Sequence, residues 1–221
     1  MREIAVLPTR AGIQNKGLWK LGGQTLVERA LATLATMNLG TVVTSDQPEV
    51  REICNYYPKV RFHQRPPELA DGKHMVEAVL EAVSEGEDDV LIHLIQCTSP
   101  FLADTDIFAA TQTVRAFNAN SFQTIIRVPH NYHEWNQRLR EPNGCVSFVN
   151  SERRAVAKTK QDKPLRYAFG NLVSVCRSAL QTYNNFFVAP SIGYLIPQWR
   201  GFDIDQPKDL KMANAIMREY Q

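Results

Sequence analysis

Among its 221 residues the chain has only four cysteines, Cys54, Cys97, Cys145 and Cys176, widely separated and without C-x-x-C spacing. That argues against a zinc knuckle and against a dense disulfide scaffold, and it predicts reduced thiols in a cytoplasmic protein. Charge of one sign is scarce too: the formal net charge is +2 with 22% charged residues. Nothing in that balance calls for nucleic acid or a membrane as partner, so any positive charge that matters must be local. The first residues, Met1 to Pro8, hold too short an apolar run for a signal-peptide core or a membrane span. Internal repeats and low-complexity segments are missing as well. The histidines His63, His74, His93, His130 and His133 make no metal-binding pattern.

What is present is a 44% hydrophobic content, ample for a sizeable core, arranged in alternating periods. Ile4 to Leu7 reads as a buried strand ended by Pro8. Leu26, Val27, Ala30, Leu31, Leu34 and Ala35 recur at helical spacing between Thr25 and Met37, with Asn38 and Gly40 as the stop. Strands are expected at Thr41 to Thr44 and Val60 to His63, with helices at Pro48 to Tyr57 and His74 to Val83. Val90 to Ile95 then reads as a central strand whose end carries Gln96-Cys97-Thr98-Ser99-Pro100. A helix from Asp104 to Phe117 and a strand from Phe122 to Val128 follow. Between Pro129 and Leu165 the pattern becomes polar, aromatic and basic, as in an insertion or arm. Alternation resumes with strands at Phe169 to Val175 and Ser191 to Ile196, and helices at Arg177 to Tyr183 and Pro207 to Tyr220. This order predicts one α/β domain over residues 1–221, with a mostly parallel, Rossmann-like sheet, helices on both faces, and ligands at the C-terminal strand ends.

The loop after the first strand offers Arg10, Gly12, Lys16, Gly17, Lys20, Gly22 and Gly23. Backbone amides freed by glycine, together with fixed cations, can hold polyphosphate oxygens there. The same residues also fit an ordinary solvated loop, since no Gly-Lys-Ser/Thr or G-x-G-x-x-G pattern closes it. Thr44-Ser45-Asp46 can bond a ligand or cap the helix that begins near Pro48. Asp104 and Asp106 fit a helix cap. Asp203 and Asp205, two apart in an extended stretch before the last helix, point the same way and can share a hard cation such as Mg²⁺. Alternatively Asp205 caps that helix, with Asp209 favouring its dipole. Phe186-Phe187 fits a core or the wall of an apolar pocket.

Taken in order, these segments resemble the CMP-sialate (acylneuraminate) synthetase family, the cytidylyltransferases of acidic nonulosonic sugars, nearly end to end. Pro8-Thr9-Arg10 looks like that family's P-A-R opening. Lys16 with Leu21-Gly22-Gly23-Gln24-Thr25-Leu26 resembles its second loop lysine and G-K-P-L helix start, although the loop is shorter. Ser45-Asp46 resembles S-T-D, Arg65-Pro66-Pro67-Glu68-Leu69-Ala70 resembles R-P-x-E-L-A, and Gln96-Cys97-Thr98-Ser99-Pro100 resembles Q-P-T-S-P. Phe186-Phe187 with Ala189-Pro190 resembles F-F-x-x-P, and Asp203-Ile204-Asp205-Gln206-Pro207-Lys208-Asp209-Leu210 resembles D-I-D-T-x-x-D-L.

The resemblance implies attack by the anomeric hydroxyl of a 2-keto acid sugar on the α-phosphorus of CTP, with Mg²⁺ and loss of pyrophosphate. It places Arg10 and Lys16 on the triphosphate, Ser45 and Arg65 near the nucleotide, and Asp203 and Asp205 on the metal, with Asp205 also catalytic. Gln96, Phe186 and Phe187 would face the sugar, Arg166 would meet its carboxylate, and Asn171 stands in for the family's N-G. The family also implies a homodimer, with Pro129 to Leu165 as the arm that reaches the partner.

Overall fold

The computed structural model describes residues 1–12, 14–37, 39–70, 74–83, 90–157 and 159–220. Strand β1 (Arg2–Pro8) is followed by a small hairpin, β2 (Lys20–Leu21) and β3 (Gln24–Thr25), and by helix α1 (Leu26–Ala35). Thr25 starts α1 with a reciprocal cap: its hydroxyl accepts from the Glu28 amide while Glu28 Oε2 accepts from the Thr25 amide at 2.6 Å. Of the expected stop, Asn38 lies outside the described residues and Gly40 opens β4 (Gly40–Ser45). Helix α2 (Pro48–Cys54), strand β5 (Val60–Gln64), helix α3 (Met75–Ala82), strand β6 (Val90–Ile95) and helix α4 (Asp104–Phe117) follow. Next come β7 (Ser121–Arg127), the short pair β8 (Arg138–Arg140) and β9 (Val146–Phe148), and α5 (Ser151–Val156). The chain closes with β10 (Tyr167–Cys176), α6 (Arg177–Tyr183), β11 (Ser191–Leu195) and α7 (Pro207–Tyr220).

Seven strands form one sheet in the order β11-β7-β10-β6-β1-β4-β5. All neighbours are parallel except β10, which runs antiparallel to both β6 and β7. The mostly parallel α/β architecture is therefore as the alternation predicts, and the reversed strand has a topological cause. The inserted segment leaves the C-terminal end of β7 and returns at that same end, where the Val128 amide donates to the Arg166 carbonyl at 2.9 Å. Strand β10 can then only run back along β7, so the insertion is the tip of a long hairpin. Its own β8–β9 ladder is largely exposed.

Successive residues of the central strands feed opposite faces, as the pleat requires. Ala5, Leu7 and Leu91 pack toward α1, α4 and α7, while Val6, Ile92 and Leu94 pack toward α3 and α6. Val90 to Ile95 is buried throughout, in the middle of the sheet, as expected for a strand covered on both sides. Among the described residues no helix is long and apolar enough to cross a membrane.

Candidate active site

The chain steps from β1 to β4 on one side and to β6 on the other, which opens a crevice at the C-terminal ends of β1 and β6. A cleft of about 780 Å³ lies there. Its walls bring together five residues singled out from the sequence: Arg10, Lys16, Arg65, Gln96 and Asp205.

The first loop folds back on itself through polar ties. The Ala11 amide donates to Asp46 Oδ1 at 2.9 Å, and Gln47 Nε2 donates to Asn15 Oδ1 at 2.9 Å. Gly12 and Asn15 take left-handed backbone, with φ of 47° and 46°. Gly17 lies so close to β1 that a Cβ would meet Thr9 Oγ1 at 2.7 Å. The loop thus brings Lys16 to the cleft mouth, where Nζ donates to Asp205 Oδ1 at 2.8 Å, with the two side chains 34% and 72% exposed. On the other wall, Arg10 reaches the carbonyl of Ala70 at 3.4 Å.

Arg65 is 2% exposed and donates to the Thr44 carbonyl at 3.0 Å. Burial draws its pKa down, and the nearby Asp46 carboxylate opposes that pull. A guanidinium stays charged under such a shift, so the cleft has a fixed cation in its wall. Cys97 also lines the cleft, but burial and the neighbouring Asp203 push its thiol up to about 12. It is a poor nucleophile at neutral pH.

The carboxylate pair rides on an extended segment at Phe202–Gln206. Ile204, 0% exposed, anchors it, and its amide donates to the Thr98 carbonyl at 2.9 Å. Asp203 and Asp205 flank that buried residue. Asp203 Oδ1 accepts from Ser99 Oγ at 3.2 Å, while Asp205 faces Lys16. The cap of α7 is supplied instead by Asp209, whose Oδ2 accepts from the Asp205 and Gln206 amides at 3.0 and 2.8 Å. Asp205 is thereby free of the capping role that the sequence also allowed. Among the described residues no three His, Cys, Asp or Glu gather as a metal cage. Two carboxylates beside a cationic loop do suit Mg²⁺, which takes one or two carboxylates and completes its shell with phosphate oxygens and water.

Other residues named from the sequence stand elsewhere. Ser45 is buried, and its hydroxyl accepts from the Gln47 amide at 3.1 Å beneath the loop. The N-cap of α2 is Gln47, so Ser45 and Asp46 shape the loop rather than cap that helix. Arg166 sits at the root of the arm, paired with Glu134 at 2.7 Å. Asn171 is 0% exposed and bonds Thr124 Oγ1 and the Arg200 carbonyl. Phe186 packs against the buried cluster on the sheet face that carries Leu94, and Phe187 meets Phe169 edge-on at 5.8 Å.

Sequence reasoning missed Gln14, Asn15 and Gln47, polar residues of the loop and its support. It also missed the ion pair of Arg200 with Asp106, whose Oδ2 additionally accepts from the Ala103 amide at 3.2 Å to cap α4. Burial pushes the Asp106 carboxyl up from its ordinary value, and Arg200 pulls the other way. Nothing in local spacing could show a pair that lies 94 residues apart.

A sequence model of the family described as "Cytidylyltransferase" matches residues 4–190. No curated protein sequence matches the chain. Among solved structures, the fold is similar to CMP:2-keto-3-deoxy-manno-octonic acid synthetase complexed with CTP, at 14% identity, with 100% of both chains covered and a TM-score of 0.71. It is similar too to 4-diphosphocytidyl-2C-methyl-D-erythritol synthase from Anaerococcus prevotii DSM 20548, at 12% identity, 98% of this chain and 96% of that chain covered, and a TM-score of 0.64. At such identities the likeness is one of fold.

Proposed function

Because the chain belongs to the cytidylyltransferase family, we propose that it joins CMP from CTP to an acidic nine-carbon 2-keto sugar, sialic acid or a relative, with release of pyrophosphate. The observation that carries this reading is the meeting of Lys16 with Asp205 at 2.8 Å, from positions 189 apart in the chain. It sets a lysine cation beside an aspartate carboxylate at the mouth of one cleft, which suits a phosphate and a metal ion held side by side. The family match ends at residue 190, ahead of the carboxylates, so the extent of the domain over residues 1–221 is part of the proposal.

Transfer of a cytidylyl group needs charge neutralisation and in-line placement more than covalent help. Arg10 and Lys16 neutralise the triphosphate, and Arg65 with the Ser45 turn supports the nucleotide side of the cleft. Asp203 and Asp205 would hold Mg²⁺, which supplies a counter-charge for the phosphates and lowers the pKa of a bound hydroxyl. The anomeric oxygen of the sugar bonds to the α-phosphorus as the bond to pyrophosphate breaks, and Asp205 accepts the hydroxyl proton. Gln96 lies on the cleft wall where the sugar would enter, and Phe186 and Phe187, which stand outside that wall, would face the sugar from beside it. Arg166 pairs with the sugar carboxylate once Glu134 releases it. The exposed arm at 129–165 carries Leu139, Val146 and Val156, all more than half exposed, which suits burial against a second copy in a homodimer.

An eight-carbon 3-deoxy sugar is the nearest rival, favoured by the synthetase neighbour. The test gives the purified protein CTP, Mg²⁺ and a panel of nonulosonic acids with 3-deoxy-octulosonate, and reads pyrophosphate release. Release with a nine-carbon acid is expected. Release with the eight-carbon sugar alone, or none from folded protein, overturns the proposal.

A further inference from the structure

Behind the two carboxylates lies a buried polar cluster that no step above uses. Asp106, at the start of α4, is 0% exposed and is paired with Arg200, itself 16% exposed, in the turn that leads into the carboxylate segment. The other Asp106 oxygen, Oδ1, is buried beside the Asn171 side chain. Asn171 Nδ2 donates to the Arg200 carbonyl at 3.0 Å, so Arg200 is held by its guanidinium and by its backbone. Asn171 is in turn fixed by Thr124, whose Oγ1 accepts from its amide at 2.8 Å and donates to its Oδ1 at 2.9 Å.

A buried ion pair of this kind is an inefficient source of stability. Two charges lose their hydration, and apolar residues of the same shape often stabilise a core as well or better. What the pair provides is a fixed position, because a planar guanidinium meets a carboxylate in few geometries. That position is transmitted directly. Gly201, the next residue, lies flat on β7, where a Cβ would come within 2.7 Å of Ile126 Cγ2. Trp199, the residue before, stacks on Tyr220 at 4.7 Å and meets Phe101 edge-on at 5.7 Å. Four residues past Arg200, Ile204 is buried and tied to Thr98, with Asp203 and Asp205 on either side.

We propose that Arg200 is a positioning residue: its buried pair with Asp106 sets the place of Gly201 to Asp205, and hence of both carboxylates, Asp205 on the cleft wall and Asp203 beside it. The inference rests on the reading of the cleft as a cytidylyl-transfer site and adds what holds one half of it. The pair fixes the carboxylates ahead of nucleotide binding, so its removal acts on turnover rather than on the grip of the triphosphate by Arg10 and Lys16.

The decisive variant is the double substitution Asp106→Asn with Arg200→Met. The amide keeps an acceptor for the Ala103 amide and leaves no unpaired buried charge, so the fold has no reason to fail. Arg200→Lys, which keeps the charge and loses the fork, is the conservative companion. With Mg²⁺ and the sugar accepted by the wild type, kcat of the double variant falls roughly tenfold to a hundredfold, the scale of an ångström of misplacement. KM for CTP stays within about twofold of wild type, and Arg200→Lys lies between. Hydrogen exchange supplies the second readout, independent of activity: the amides of residues 201–205 exchange faster in the double variant, while those of β1, β4 and β6 do not. Wild-type exchange at 201–205, unchanged kcat, or uniformly faster exchange across the sheet each overturns the proposal. A wild type that releases no pyrophosphate overturns the transfer reading instead, and local loosening at 201–205 would still show that Arg200 positions this segment.

Discussion

The two sides of the cleft are built by opposite means. The first loop, between Arg10 and Lys16, has no buried hydrophobic anchor among its described residues and is held by side-chain ties from Asp46 and Gln47, each 2.9 Å long. The carboxylate segment has the fully buried Ile204 at its centre, a backbone bond to β6's end, and the Arg200–Asp106 pair behind it. Burying an isoleucine contributes about 1.5–3 kcal/mol, whereas a part-exposed hydrogen bond contributes about 0.5–1.5 kcal/mol. The loop is therefore the cheaper side to move. On the proposed reading a nucleotide would draw Lys16 from Asp205 to its phosphates by rearranging a few polar contacts, with the carboxylates held in place.

Asp205→Asn breaks that comparison most severely. The substitution keeps the shape and removes the charge that pairs with Lys16 and that the proposed cation would need. Turnover should fall roughly 10²- to 10³-fold, as for other groups aimed at developing charge. Stability should not follow. The Asp205 side chain is 72% exposed, and an ion pair so placed is worth about 0–1 kcal/mol. A melting temperature within about 2 °C of wild type, with turnover lost, is the expected pair of results. Retained turnover would remove Asp205 from the chemistry and leave the cleft without its carboxylate.

Asp46→Ala tests the pliant side with a smaller effect. It deletes the acceptor for the Ala11 amide and leaves every cleft-lining side chain in place. One lost hydrogen bond of about 1 kcal/mol corresponds to about a fivefold rise in KM for CTP, with kcat little changed. If kcat falls and KM does not, the loop positions the reacting atoms rather than gripping the nucleotide, and the division of labour between the two sides is reversed.

How much of this was legible in the sequence follows from the same contrast. Periodicity records burial, so the long helix at Asp104–Phe117, the final helix at Pro207–Tyr220 and the wholly buried strand at Val90–Ile95 could be read with their boundaries. The spacing of Asp203 and Asp205 around Ile204 was readable for the same reason, since a buried residue in an extended segment turns its neighbours outward. Long-range polar ties leave no periodic trace. Asp46 read as a helix cap or a ligand because local patterns offer only local partners, and its true partner is the Ala11 amide, 35 residues away. The reversed β10 was hidden because a mostly apolar stretch such as 172–175 reads alike in either direction. Arg166 came from the carboxylate-binding chemistry of an arginine beside the arm, and Asn171 from motif likeness. One is paired at the root of the arm and the other lies under Arg200, positions that depend on tertiary structure alone.

The smallest effect lies where the loop hands over to α1. Thr25→Ala removes the hydroxyl that accepts from the Glu28 amide at 3.1 Å, a change worth about 1 kcal/mol at a helix start. In a chain of this size that lowers the melting temperature by about 2–4 °C. Kinetics should be untouched, because the cap lies outside the cleft wall. The cap also carries a pH signature. The Glu28 carboxyl is held below its ordinary value of 4.5, first by the Thr25 amide and then by the Thr25 hydroxyl. A depressed folded pKa adds stability above the unfolded value and loses it as pH falls through the folded one. Wild type should therefore lose its advantage over Thr25→Ala as the pH drops below about 4.5, so the gap between their melting curves narrows in acid. The backbone amide of residue 25 still holds the Glu28 carboxylate in Thr25→Ala, so a gap that stays constant from neutral pH into acid would mean that the bond from the Thr25 hydroxyl to that carboxylate contributes nothing.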